Sequence, residues 1–198
     1  MKKIILILFL LNLQILSASN ILFLGDSLTE GLGVNKKDAF PQLVENLIQT
    51  KLQKDITVIN GGVSGSTTSD GLARLKWYMK KKPYLVFLAL GANDGLRGLN
   101  LEQSEQNLEE IIQYAQKHNA KVLLAGMHIP PNYGPEYSEK FKKMYEQLKN
   151  KYHLKSMPFL LDGVAGKKEF NQSDGIHPNE EGHKHIAKKV FEFLKDIL

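Results

Sequence analysis

Four stretches far apart in the chain carry the residue types that acyl-transfer chemistry uses. Ser27 follows the apolar run Ile21-Leu22-Phe23-Leu24 through Gly25-Asp26. A serine at a strand's end faces a cleft, and its hydroxyl attacks a carbonyl only when a base takes its proton. The alternative is a serine that caps a turn or helix. The candidate base is His177 in Ser173-Asp174-Gly175-Ile176-His177-Pro178. Asp174 stands three residues earlier. In a loop, that spacing lets a carboxylate fold back onto the imidazole Nδ1–H, fix its tautomer and stabilise the imidazolium. An Asx-turn carrying a solvent-facing histidine is the alternative.

Such a reaction also needs donors for the oxyanion. The loop Asn60-Gly61-Gly62-Val63-Ser64-Gly65-Ser66-Thr67 offers backbone N–H groups that side chains do not obstruct. Asn93, in Gly91-Ala92-Asn93-Asp94, can aim its amide into the same space. Each donor of this kind is worth ~10²–10³ in turnover. Two turns before helices would explain the glycines, but not an asparagine at a buried strand end.

The elements that must position these residues alternate. Strands are expected at 21–24, 56–59, 84–90, 122–125 and 159–161, with 84–90, the most apolar, at the sheet's centre. Helices are expected from Asp38, read as an N-cap with Pro41 in the first turn, and over 68–81, 101–118, 136–151 and 179–197. This alternation predicts an α/β protein: a flavodoxin-like, parallel, five-stranded sheet between helix layers, three layers in all. Ligands bind such sheets at the carboxyl ends of the strands, where Ser27, the 61–68 loop and 91–94 fall.

Composition narrows the classes. The chain has 198 residues and no cysteine, so thiol catalysis, Cys-ligated metals and disulfides are excluded. The formal charge of +5, two units of it from Lys2 and Lys3, is scattered and too small to argue for nucleic acid. His183 and His185, two apart on a helix, point to different faces and do not make a metal pair; both are read as solvated. His118, His128 and His153 have no partner visible in sequence. Lys2-Lys3, the apolar run 4–11 and Ser17-Ala18-Ser19 read as a secretory signal peptide over 1–19, cleaved after Ala18 or Ser19. The run falls short of the ~20 residues of a membrane span. One domain over 20–198 is expected, periplasmic or secreted.

Taken together, Gly25-Asp26-Ser27-Leu28, the glycine of Val63-Ser64-Gly65, Gly91-Ala92-Asn93-Asp94 and Asp174-Gly175-Ile176-His177 resemble the four blocks of the SGNH/GDSL hydrolases, in the same order. The similarity covers nearly all of the mature chain. It is closest to the bacterial multifunctional acyl-CoA thioesterase/lysophospholipase/arylesterase group, as Asn93-Asp94-Gly95-Leu96-Arg97-Gly98 and Pro131-Asn132-Tyr133-Gly134 also indicate. Ala92 stands where the family often has glycine. The resemblance implies Ser27 as nucleophile, His177 as base and Asp174 as orienting acid. It implies an oxyanion hole from Ser27 N–H, Gly65 N–H (Gly62 being the alternative glycine) and the Asn93 side chain. It also implies that loop 127–135 borders the acyl chain, against an ordinary surface crossover. No metal or organic cofactor is called for. The expected partner is a small ester or thioester, met by a monomer with at most peripheral membrane contact. Two other readings share parts of this pattern: a carbohydrate O-acetylesterase, which differs only in its cleft, and a non-catalytic binding module on the same fold.

Overall fold

The computed structural model describes residues 19–198, so the expected signal peptide lies outside the described residues, apart from Ser19. Five strands form one parallel sheet: β1 (Ser19–Gly25), β2 (Ile56–Gly62), β3 (Leu85–Ala89), β4 (Lys121–Ala125) and β5 (Lys155–Met157), in the spatial order β2-β1-β3-β4-β5. This is the flavodoxin-like order, whose direction of winding reverses between β1 and β3. Seven helices complete the described chain: α1 (Ser27–Glu30), α2 (Phe40–Leu47), α3 (Thr68–Tyr78), α4 (Ala92–Leu96), α5 (Leu101–Lys117), α6 (Pro135–Lys151) and α7 (Glu180–Leu194). Helices α2 and α7 pack together as one layer, and α3, α5 and α6 pack in series as the other.

The inner strands are apolar throughout because both faces are covered. Ile21 to Leu24 and Leu85 to Ala89 are fully buried, and the rings of Phe23 and Phe87 meet at 4.9 Å. At roughly 1.5–3 kcal/mol for each large apolar side chain, this burial drives the fold. The register fixes where the strands stop. Gly25 pairs with Gly62 on one side and with Ala89 on the other, so β1, β2 and β3 end level.

The structure corrects three expectations. The fifth strand is Lys155–Met157, not 159–161. Gly126 N–H donates to Met157 O, and Leu160 N–H donates to Gly126 O, so the backbone turns after Pro158 and Leu160 is buried from a loop. A short apolar run does not distinguish a strand from a buried turn. Asp38 does not cap the next helix. It ends a 3₁₀ turn (Lys36–Asp38), and the N-cap position is Ala39, which offers no side-chain acceptor.

His183 and His185 are not solvated. His183 is fully buried, and its Nδ1 accepts from Phe40 N–H at 3.2 Å, supplying from α7 the cap that α2 lacks. Its position matches the apolar stripe of Ile186, Ala187 and Val190. His185 is half-buried, its ring against Phe170. Desolvation pulls the His183 imidazole down to about 4, so it caps as the neutral ring. Between the ordinary value of 6.5 and about 4, the unfolded chain takes up a proton that the native chain refuses, and stability falls as pH drops through that window. We expect His183→Leu to cost roughly 1–3 kcal/mol at neutral pH, because Phe40 N–H loses its acceptor. The gap from wild type should narrow on acidification and close or reverse below about pH 4, since the full linkage is on the order of 3 kcal/mol. Urea unfolding of both proteins at neutral and acidic pH checks this; a gap that widens in acid refutes it.

Candidate active site

At the end of β1 the chain turns sharply into α1. Gly25 permits this: a Cβ there would lie 2.0 Å from Thr29 Oγ1 and 2.9 Å from Ala89 O. Asp26 is the N-cap, its Oδ1 accepting from Leu28 N–H at 3.0 Å. Ser27 is thus the first helical residue rather than the cap. Among the described residues its N–H has no protein acceptor, as expected of a first-turn donor.

The segment carrying His177 is closed on itself. Asn171 and Pro178 form an isolated antiparallel bridge, and Gln172 N–H donates to His177 O. Gln172 Nε2 also donates to Leu32 O at 2.7 Å, tying this segment to the residues just after α1. His177 Nε2 lies 3.0 Å from Ser27 Oγ, and its Nδ1 lies 2.6 Å from Asp174 Oδ2. The other carboxylate oxygen accepts from Ile176 N–H at 2.8 Å and from His177 N–H at 2.9 Å. The Asx-turn of the alternative reading is present, but its histidine faces Ser27 rather than solvent: Asp174 makes the turn and orients the imidazole with the same carboxylate.

The two carboxyls near the serine differ sharply. The hydrogen bond from His177, reinforced by the two backbone N–H groups, holds Asp174 down at about 2. Burial raises Asp26 to about 6, against the opposing pull of Leu28 N–H and of the His177 and Arg74 charges. Among the described residues one Asp26 oxygen is buried without a partner.

The third and fourth stretches meet at the same edge of the sheet. Gly65 has φ +76°, where a side chain would be strained, and among the described residues its N–H has no protein acceptor. Its carbonyl accepts from Arg97 Nη2 at 2.9 Å. Gly62 ends β2, with its N–H held by Asn60 Oδ1 at 2.9 Å, so it has no free donor. Asn93 donates through Nδ2 to Ser66 O at 2.9 Å, which leaves a second amide hydrogen. The adjoining Asp94 is buried and bonds Thr68 and Ser104, joining the starts of α3 and α5.

Several residues that shape the loop escaped the sequence reading. Glu30 Oε2 accepts from both the N–H and the hydroxyl of Ser64. Arg74 and Ser66 bond beneath the loop. The i,i+4 spacing of Asp70 and Arg74 was the one available signal, and it reads as a surface pair. Loop 127–135 is anchored by buried Met127 and Ile129, and Tyr133 Oη donates to Leu96 O at 2.9 Å, fastening it to the end of α4. A groove of about 620 Å³ between α2 and α7 contains none of these residues.

Residues 23–185 match the GDSL-like Lipase/Acylhydrolase family. The chain is 38% identical to the thioesterase 1/protease 1/lysophospholipase L1 of Escherichia coli (strain K12), over 98% of this chain and 91% of that protein. It is 37% identical to an arylesterase of Vibrio mimicus, over 94% of this chain and 93% of that one. The crystal structure of TesA superposes with a TM-score of 0.87 at 38% identity, covering 91% of this chain and all of that one. With its family match running over most of its length, the chain belongs to the GDSL-like Lipase/Acylhydrolase family and is a hydrolase of that family's SGNH type.

Proposed function

We propose that this chain hydrolyses carboxylic esters and thioesters through an acyl-enzyme on Ser27. The observation that carries the reading is the continuous relay from Ser27 Oγ to His177 Nε2 at 3.0 Å and from His177 Nδ1 to Asp174 Oδ2 at 2.6 Å. His177 takes the serine proton as Oγ attacks the carbonyl carbon. The oxyanion is received by Ser27 N–H, Gly65 N–H and the remaining amide hydrogen of Asn93. His177 then protonates the departing alcohol or thiol. Water enters, gives its proton to His177 and frees the acid, returning Ser27 to its hydroxyl form. Asp174 stays ionised throughout and steadies the imidazolium.

Aryl esters, acyl thioesters and lysophospholipids are the substrate classes we favour, supported by what the E. coli and V. mimicus relatives are called. The protein acts as an exported monomer on small molecules, without nucleic acid and with at most peripheral membrane contact. Lys2-Lys3, the apolar run and Ser17-Ala18-Ser19 support export. Among the described residues no helix is long and apolar enough to cross a membrane. Ser19 of β1 pairs with Ile56 of β2, which favours cleavage after Ala18 over cleavage after Ser19.

Ser27→Ala should lower kcat on p-nitrophenyl esters by at least ~10³-fold with the fold intact by circular dichroism. A Ser27→Ala protein with full activity would mean a non-catalytic or differently built site. Asp174→Asn keeps an acceptor for the two backbone N–H groups but removes the anion, so kcat should fall by about 10²–10⁴-fold with little change in KM; an unchanged kcat removes Asp174 from the relay. A panel of p-nitrophenyl esters from acetyl to palmitoyl tests the substrate class. Activity on medium or long chains and on lysophospholipid is expected. A strong acetyl preference, with acetate released from O-acetylated glycan, would select the carbohydrate esterase instead.

A further inference from the structure

Beneath the loop that carries Gly65 lies a guanidinium with more to hold than a surface ion pair needs. Arg74, on α3, has a side chain only 16% exposed. Its Nη1 donates to Gly25 O at 3.0 Å and to Gly61 O at 2.7 Å; Nη2 donates to Ser66 Oγ at 2.6 Å, and Nε to Asp70 Oδ1 at 3.1 Å. Ser66 in turn donates its hydroxyl hydrogen to Asp70, closing a ring of three side chains.

Three of these four acceptors, all but Asp70, lie on segments that carry an oxyanion donor. Gly25 is two residues before Ser27, at the end of β1. Gly61 and Ser66 flank Gly65 on either side, and Ser66 O is the acceptor that holds the Asn93 amide at 2.9 Å. One planar group therefore touches the supports of all three donors. It does so where β1 and β2 end, so their carbonyls depend on side chains for part of their hydrogen bonding. Asp70 fixes the plane of the guanidinium and balances its charge.

We propose that Arg74 is a positioning residue that sets the mutual spacing of Ser27 N–H, Gly65 N–H and the Asn93 amide, and through them the stabilisation of the oxyanion. The proposal rests on the reading of Ser27 as nucleophile. Oxyanion donors must meet a developing charge at hydrogen-bond distance, and misplacement by about 1 Å costs on the order of 10²-fold in rate. Lysine does not substitute. Its ammonium is a single point on a flexible stem and cannot span two strand ends and a loop hydroxyl, whereas the arginine fork is rigid and carries five donors.

The test compares wild type, Arg74→Lys, Arg74→Met, Ser66→Ala and Ser27→Ala on the best p-nitrophenyl ester. Each is also titrated with a trifluoromethyl ketone of the same acyl chain, which adds to the serine hydroxyl to give an oxyanion. Both Arg74 variants should lose roughly 10–100-fold in kcat with KM within about threefold, and the ketone should weaken by the factor lost in kcat/KM. Ser66→Ala, which removes one of the Arg74 bonds, should lose less, about 3–10-fold, in the same pattern. Should the Arg74 variants fail to fold, Ser66→Ala decides alone. A loss confined to KM, an unchanged kcat, or a fall in kcat with undiminished ketone affinity overturns the positioning role. A Ser27→Ala protein that remains active overturns the underlying reading instead. Arg74 variants at wild-type kcat beside a dead Ser27→Ala overturn this proposal only.

Discussion

The register of three parallel strands is the constraint on which the rest depends. Because Gly25 sits beside both Gly62 and Ala89, the polar segments after β1, β2 and β3 leave the sheet at one level. The segments that carry Ser27, Gly65 and Asn93 therefore leave from neighbouring points, and Asn93 meets the loop at Ser66 O. Apolar burial enforces the register. A one-residue slip of β1 would turn Phe23 from the Phe40 ring, 5.7 Å away, to the opposite face. The switch point of the winding opens the crevice between β1 and β3, where a ligand can enter without breaking the ladder.

Local environments divide the work among similar groups. Two aspartates lie near the serine. Asp174 is partly exposed and receives two backbone N–H groups and the imidazole; Asp26 is buried and accepts from Leu28 N–H. The first is thereby held low and the second raised. Histidines diverge in the same way. His177 stands at the cleft with both ring nitrogens engaged, whereas His183, six residues later, is withdrawn into the core and neutral, serving as a helix cap. Pairs of titratable groups driven apart by their surroundings are a common mark of acid–base sites.

The loop between β2 and α3 has few apolar anchors of its own. It is held by polar contacts from Glu30, Arg74, Asn93 and Arg97, which reach it from α1, α3, α4 and the residue that follows α4. This fastening engages the Ser64 N–H and hydroxyl, the Ser66 hydroxyl and the Gly65 and Ser66 carbonyls, and among the described residues it leaves the Gly65 N–H without a protein acceptor.

Much of this was legible in the chain itself. Apolar runs bounded by glycine and polar residues specify β1 to β4, and helical periodicity specifies α5, α6 and α7, because these patterns arise from the backbone's own repeats. The three-residue interval from Asp174 to His177 was legible too, since a loop that short fixes the reach of its side chains. What joins Ser27 to His177 across 150 positions is not a spacing but the closure of the sheet. Likewise, Lys155-Ser156-Met157 became the edge strand, and 159–161 a buried turn, because β4 offered its free edge to the former. His183 turned inward, where its ring caps α2, and Arg74, on the helix that follows the loop, reached back to the end of β1, 49 positions away. The sequence determined the elements and the chemical types available. The tertiary structure decided which unsatisfied donors and acceptors would meet, because a polar group leaving water takes the partner nearest in space, whatever its distance along the chain.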